Sequence, residues 1–244
     1  MSSLYIREDL TEATVGSAID LEGAEAKHAV AANRLRVGEQ LLIGNGRGLI
    51  AGGVAEEVSP ARLRMRVDRV TESMPVSPRV VLVQALAKGD RDELAVQAST
   101  ELGVSAVIPW SAERSVSRWE GQKAQKGVAR WQAIAREASK QSIRAWVPDV
   151  ESVHSTAQLA DVAGTGTMLV LEPTAEVPLS RAVVDAGGDD IVLVVGPEGG
   201  IAPRELAALT GAGATAVRLG SEVLRTSTAG PAAISAVNVI LGRW

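Results

Sequence analysis

The sequence predicts an α/β protein in two parts, a small β-rich N-terminal domain and a larger C-terminal domain built on a mainly parallel sheet. Three observations carry this. Residues 62–68, Arg-Leu-Arg-Met-Arg-Val-Asp, alternate polar and apolar side chains with the period of two expected of a strand with one wet face. Beyond residue 79 the pattern changes to short continuous apolar runs, beginning with Val80-Val81-Leu82-Val83 and separated by segments of helical spacing. Such runs belong to strands buried on both faces, as in parallel sheets covered by helices. Between the two patterns, Thr-Glu-Ser-Met-Pro-Val-Ser-Pro-Arg at residues 71–79 sets two prolines among small polar residues, which favours an extended connector. A boundary there gives domains of residues 1–72 and 73–244.

Taken in order, residues 25–36 read as the one helix of the first domain. Gln40-Leu41-Leu42-Ile43 then reads as a strand, residues 44–48 as a glycine-rich turn, and residues 49–54 as the start of the return strand. A compact barrel is the expected form. In the second domain, Asp90 offers an N-cap with Glu93 three residues on, Leu94, Ala98 and Leu102 follow at helical spacing, and Gly103 ends the helix. Residues 104–108 form the next strand, which Pro109 ends, and residues 124–143 form a long helix. Strands at 167–171, 191–195 and 216–219 alternate with helices near 179–186 and 203–209, and an alanine-rich helix at 228–241 follows.

Composition narrows the chemistry. Phe is absent and Tyr occurs once, so the core is expected to be aliphatic. With no cysteine and only His28 and His154, a disulfide framework, a thiol nucleophile and a zinc site are all disfavoured. The start, Met-Ser-Ser-Leu-Tyr-Ile-Arg, has no basic region followed by an apolar one, and no apolar run approaches the ~20 residues of a membrane span, so a cytoplasmic protein is expected. The net charge is −4, yet residues 111–147 carry Arg114, Arg118, Lys123, Lys126, Arg130, Arg136, Lys140 and Arg144 against Glu113, Glu120 and Glu137. That segment is either a solvated helix face or a surface that meets phosphates.

Ligands of open α/β sheets bind at the carboxyl ends of strands. Three predicted loops leave such ends: Glu172-Pro173 after residues 168–171, Gly196-Pro197-Glu198-Gly199-Gly200 after residues 191–195, and Gly220 onward after residues 217–219. Clustered, they would let backbone approach a ligand closely through their glycines. Neither the Gly-x-Gly-x-x-Gly fingerprint after a strand nor a phosphate-binding Gly-Lys-Ser/Thr loop occurs, which disfavours a dinucleotide dehydrogenase or a phosphate-loop NTPase.

Gly196 to Gly200, followed by Leu219-Gly220 and then Leu224-Arg225-Thr226-Ser227-Thr228-Ala229, resembles the RsmE family, the small-subunit ribosomal RNA uridine N3 methyltransferases. Lys88-Gly89-Asp90-Arg91, Thr100-Glu101-Leu102-Gly103-Val104, Glu113-Arg114-Ser115-Val116, Arg130-Trp131, Glu137-Ala138 with Gln141-Ser142, and His28 with Leu35-Arg36-Val37-Gly38 extend the resemblance in order along nearly the whole chain. Ser227 departs from it where many members have Glu, as do Ala202, in place of a capping Ser or Thr, and Lys140, in place of an acidic residue.

The resemblance implies a SPOUT-class domain with a trefoil knot, a PUA-like N-terminal barrel, a homodimer, S-adenosylmethionine as cofactor, and 16S ribosomal RNA or the small subunit as substrate. No metal and no membrane are expected, on the histidine count and the apolar runs given above. Cofactor contacts are expected from Leu171, Glu172, Gly196, Pro197, Gly199, Gly200, Leu219, Gly220, Leu224 and Thr226. Loss of the uridine N3 proton would leave negative charge on the base, which a guanidinium could stabilise, so Arg225 is the first catalytic candidate. The alternative for Arg225 is a salt bridge that holds its loop closed. Glu198 is either a general base or a shaper of its turn. Arg7, Arg34, Arg36, Arg114 and Arg118 are candidate RNA contacts. Two other readings remain: a SPOUT enzyme that methylates ribose or another base position, and an RNA-binding protein without enzymatic activity.

Overall fold

A computed structural model describes residues 3–244, with Thr165 by its backbone alone. Met1 and Ser2, where the sequence was read as lacking a leader, lie outside the described residues. The chain divides into two compact units, Met1–Pro75 with Ser139–Val147, and Val76–Ala138 with Pro148–Trp244.

In the first unit, β1 (Leu4–Ile6), β2 (Ala18–Glu22), β3 (Gln40–Gly44), β4 (Leu49–Ser59) and β5 (Arg62–Glu72) form one sheet in the order β1-β3-β4-β5-β2. All its pairs are antiparallel except β1 with β3. β1 and β2 remain its two edges, so the sheet curls around its core without closing by strand pairing. The alternation in β5 is as expected. Leu63, Met65 and Val67 are buried with Ile19, Leu21, Leu41 and Ile43. Three of the outward arginines are matched by acids: Arg62 and Arg64 bind Asp20 at 3.1 and 2.9 Å, and Arg66 binds Glu56 and Asp68 at 3.1 and 2.8 Å. The hydrogen bond from Arg64 holds the Asp20 carboxyl below its usual range, against a smaller opposing effect of burial.

The helix of this unit is shorter than residues 25–36. It runs as α1 (Gly23–Lys27) and then as a π turn over His28–Ala32, where Asn33 N–H reaches back to the His28 carbonyl at 3.2 Å. Arg34 follows with φ 52°, a left-handed conformation that no helix can continue through.

In the second unit, β6 (Val80–Ala85), β7 (Ala106–Trp110), β8 (Asp149–Val150), β9 (Thr167–Leu171), β10 (Val177–Pro178), β11 (Ile191–Val195) and β12 (Thr215–Arg218) form a wholly parallel sheet in the order β10-β12-β9-β11-β6-β7-β8. Its helices are α2 (Arg91–Glu101), α3 (Gln122–Gln141), whose last residues group with the first unit, α4 (Thr156–Val162), α5 (Leu179–Asp185), α6 (Pro203–Gly211) and α7 (Thr226–Ile240). Two cores cover the two faces of the sheet. One packs Leu82, Leu193, Val217 and α7's Ile234 and Val237; the other packs Val83, Ile108, Val194, Leu159 and Leu209. The expectation of an aliphatic core holds by number but not by size, since Trp110, Trp131 and Tyr5 are the largest fully buried side chains. Trp131 meets Trp119 edge to face at 5.1 Å.

Several local expectations are corrected. Pro109 does not end a strand; it lies inside β7 and turns its carbonyl to the outer side, where His154 N–H donates to it at 2.8 Å. The donor that proline lacks is therefore not needed by β6. Asp90 does not cap α2, because it sits at φ 59° and its side chain makes no cap bond. The neighbouring Asp92 takes that part, accepting from Glu93 N–H and Ala87 N–H, both at 2.9 Å, while burial pushes its carboxyl up against those bonds. The buried face of α2 is Ala95, Val96, Ser99 and Thr100, and Leu94 is exposed. α6 begins at Ala202 without a capping hydroxyl, but Glu205 still reaches back to Ala202 N–H at 3.3 Å, leaving half of a capping box.

The basic segment 111–147 is not one surface. Lys140 is buried in the first unit against Glu25 at 3.1 Å, and burial pushes the Arg144 guanidinium down to about 10. Arg130 lies along Glu93 in a forked pair, 2.9 Å at its closest.

Candidate active site

The carboxyl ends of β9, β11 and β12 open onto one cleft of about 400 Å³ in the second unit. Of the residues expected at a cofactor, the cleft is lined by Leu171, Glu172, Gly196, Pro197, Gly200, Leu219, Gly220, Leu224 and Thr226, together with both catalytic candidates, Arg225 and Glu198. Gly199 does not line it. Its carbonyl instead accepts from Arg114 Nη1 at 3.1 Å, behind the wall. Arg91, Ile201, Glu222 and Val223 also line the cleft and were missed by sequence reasoning. Arg91 lies within the Lys88 to Arg91 motif and Glu222 within the Leu219 to Leu224 stretch, so the signal for both was position next to a motif.

Gly196 leaves β11 with no room for a side chain, since a Cβ there would fall 2.6 Å from Ile201 Cγ1. Gly200 completes the turn at φ 71°, donating its N–H to the Pro197 carbonyl at 2.9 Å. Glu198 accepts from Lys88 N–H at 3.1 Å and from Arg91 at 3.0 Å. Burial would raise this carboxyl, but hydrogen bonds from its own backbone and from Lys88, together with Arg91, outweigh burial and hold it below its usual range. Glu172 folds onto Thr174, accepting from its N–H at 3.2 Å and its hydroxyl at 2.9 Å. Across the cleft, Arg225 is the residue before α7 and is exposed. Its guanidinium makes no hydrogen bond or ion pair among the described residues, so the loop-closing salt bridge is absent. Thr226, the first residue of α7, is buried and donates to the Gly196 carbonyl at 2.9 Å, joining the two loops.

The five arginines considered for RNA differ in what they already hold. Arg7 is forked onto Asp9 at 3.0 and 3.1 Å and also donates to the Asp20 carbonyl. Arg118 donates to the carbonyls of Ala112 and Glu113, and Arg114 to that of Gly199. Arg34 and Arg36 are exposed, and neither side chain has an ion-pair partner among the described residues. No three His, Asp or Glu side chains among the described residues are placed to hold a metal, and none of the described helices is long and apolar enough to cross a membrane.

Residues 74–238 match the RNA methyltransferase domain family, and residues 21–60 match the RNA methyltransferase PUA domain. The chain is 46% identical to the ribosomal RNA small subunit methyltransferase E of Mycobacterium bovis over 94% of its own length and 89% of that protein's. It is 33% identical to the enzyme of the same name from Bacillus subtilis over 89% and 88%. Among solved structures, the ribosomal RNA small subunit methyltransferase E of Neisseria gonorrhoeae, bound to S-adenosyl methionine, superposes with a TM-score of 0.87 at 29% identity and covers 98% of each chain. By family model, by sequence and by fold, this chain belongs to the ribosomal RNA small subunit methyltransferase E family of RNA methyltransferases.

Proposed function

We propose that the protein transfers a methyl group from S-adenosylmethionine to N3 of a uridine in 16S ribosomal RNA, using the cleft at the carboxyl ends of β9, β11 and β12. The observation that carries this is the convergence of three loops, far apart in sequence, on one cleft in which Gly196 has room for no side chain and Arg225 is an uncommitted cation. The cleft fits the cofactor: Leu219, Leu224 and Ile201 offer an apolar bed for a purine, backbone groups of the glycine turn are within its reach, and Glu172, Glu198 and Glu222 suit a cationic sulfonium and sugar hydroxyls. Bound there, the cofactor supplies an electrophilic methyl. The protein's part is to hold the uracil nitrogen in line with it, and such alignment can supply about 7 to 11 kcal/mol of the barrier.

As the N3 proton leaves, negative charge spreads to the uracil carbonyl oxygens, and Arg225 is the group placed to meet it. Glu198 is assigned to the turn rather than to proton transfer. A carboxylate already holding Lys88 N–H and Arg91, and held below its usual range, is a weaker base than an ordinary one. Titration calorimetry with S-adenosylmethionine tests the cleft assignment. Saturable binding is expected, and a protein that gives no cofactor heat is an RNA-binding module instead.

The first unit is assigned to RNA. Arg34 and Arg36 lead its contacts because their charges are not spent on neighbouring acids, unlike those of Arg7, Arg62, Arg64 and Arg66. In the second unit Arg114, bonded to the Gly199 carbonyl, and Arg118, bonded to the carbonyls of Ala112 and Glu113, have no acidic partner among the described residues and are assigned to RNA as well. Arg36→Ala and Arg114→Ala are each expected to weaken RNA binding and to reduce the slope of log K against log salt by about 0.7, the loss of one phosphate contact on a single strand. Unchanged slopes would remove these residues from the RNA surface. Exposed Leu94 on α2, Val239 on α7 and Trp244 beyond it support a homodimer, and a ribosomal RNA substrate supports a cytoplasmic location. The trefoil knot belongs to the same proposal. It is supported by a chain that forms β11 between β6 and β9 and then returns as α7 to pack against β6 and β11.

A further inference from the structure

Gln84 is fully buried on β6, in a strand otherwise made of Val, Leu and Ala. A core chosen for packing alone would place an aliphatic side chain there. Its Nε2 donates to Thr226 Oγ1 at 2.9 Å and to the Ala85 carbonyl at 3.1 Å. A hydroxyl has one proton to give. With Gln84 donating to it, the Thr226 hydroxyl directs that proton to the Gly196 carbonyl. Turning the amide over would set its oxygen against the Ala85 carbonyl oxygen, so the orientation is fixed. In this orientation Oε1 has no partner among the described residues. A buried acceptor left unpaired costs about 1 to 3 kcal/mol. A polar group kept at that cost, directly behind two residues that line the cleft, calls for a reason other than stability.

We propose that Gln84 is a positioning residue for cofactor binding. It acts through the Thr226 hydroxyl to hold the Gly196 carbonyl and the start of α7 in one fixed relation. This rests on the reading of the cleft as the S-adenosylmethionine site. The three groups form a chain, Gln84 to Thr226 to Gly196, that joins the end of β6, the α7 loop and the β11 loop. Without its first link the hydroxyl is free to turn, and nothing directs its proton to the Gly196 carbonyl. Packing suffices to keep the fold: α7 lies so close to the sheet at Gly230 that a Cβ there would be 3.0 Å from Leu82 Cδ1. Loss of the clasp therefore acts on the ligand-ready arrangement of the cleft before it acts on folding.

A double-mutant cycle on the full chain tests this, with S-adenosylmethionine affinity read by calorimetry, methyl transfer by steady-state kinetics and folding by thermal melting. Gln84→Met and Thr226→Val are each expected to raise the cofactor Kd and KM about tenfold, with the melting midpoint little changed in Gln84→Met. For Gln84→Met, kcat at saturating cofactor should stay within about twofold of wild type. The double variant should bind no more weakly than the weaker single variant, because both changes break the same chain. Thr226→Ser, which keeps the hydroxyl, should retain more affinity than Thr226→Val. Wild-type affinity in Gln84→Met, or single effects that multiply in the double variant, would overturn the proposal. If Gln84→Met does not fold, Gln84→Leu removes the same donor, and wild-type cofactor affinity in that variant would overturn the proposal. A wild-type protein that binds no cofactor would instead overturn the cleft reading itself.

Discussion

Arg225→Ala is expected to lower methyl transfer about a hundred- to a thousandfold while the cofactor Kd changes by no more than a few-fold. The size follows from removing one donor aimed at charge that develops in the transition state. The selectivity follows from the position of Arg225. It lies on the rim of the cleft with its guanidinium uncommitted among the described residues, while the wall itself is built from backbone at Gly196, Gly200 and Gly220 and from the Thr226 clasp. A residue that only closed the loop would show an ion-pair partner, and its loss would weaken cofactor binding first. Single-turnover transfer and calorimetry on the same preparation separate the two. Wild-type turnover, or a loss confined to affinity, would remove Arg225 from the chemical step. Arg225→Lys keeps the charge but not the planar fork, and should recover only part of the rate.

The second large effect is on stability. Lys140 is 5% exposed and binds Glu25, whose other oxygen accepts from Ile6 N–H at 3.3 Å. Removing one member of a buried pair costs about 3 to 5 kcal/mol. Lys140→Ala is therefore expected to lower unfolding free energy by about that amount in denaturant melts. Lys140→Glu should be worse still, because two carboxylates then share the site. Combining Lys140→Glu with Glu25→Lys should restore part of the loss but not all, since a lysine at 25 cannot accept from Ile6 N–H. A Lys140→Ala protein as stable as wild type would show that the pair contributes nothing net. The same contact accounts for a departure from the family pattern: a lysine stands at 140 where relatives were expected to carry an acid, and here it meets Glu25 from a segment 115 residues away.

The elements that were legible are those whose signal is local. Val80 to Val83 and residues 191–195 are apolar throughout because both faces of their sheet are covered, and the alternation at 62–68 reports a sheet wet on one side. The glycine turn at 196–200 could be placed at a ligand because a strand of that kind precedes it. What could not be read is what topology brings together. Nothing local links Gln84 to Thr226, 142 residues on, or Lys140 to Glu25. Pro109 looks like a strand end until His154 takes its carbonyl. Asp90 looks like a cap until the left-handed backbone there passes the task to Asp92. The basic stretch at 111–147 looked like one surface because charge was counted along the chain, whereas Lys140 turns inward and Arg130 lies against Glu93. The Glu222 and Arg91 walls of the cleft are single residues with no spacing rule of their own.

The central claim, that this cleft methylates a uridine of the small-subunit ribosomal RNA at N3, is tested most directly by supplying labelled S-adenosylmethionine and small ribosomal subunits that lack the modification, then digesting the RNA and identifying the labelled nucleoside by mass spectrometry. Label in a single 3-methyluridine is expected with wild-type protein, and its near disappearance with Arg225→Ala. Label in a ribose-methylated nucleoside or on another base nitrogen, or no label under conditions where the cofactor binds, would contradict it.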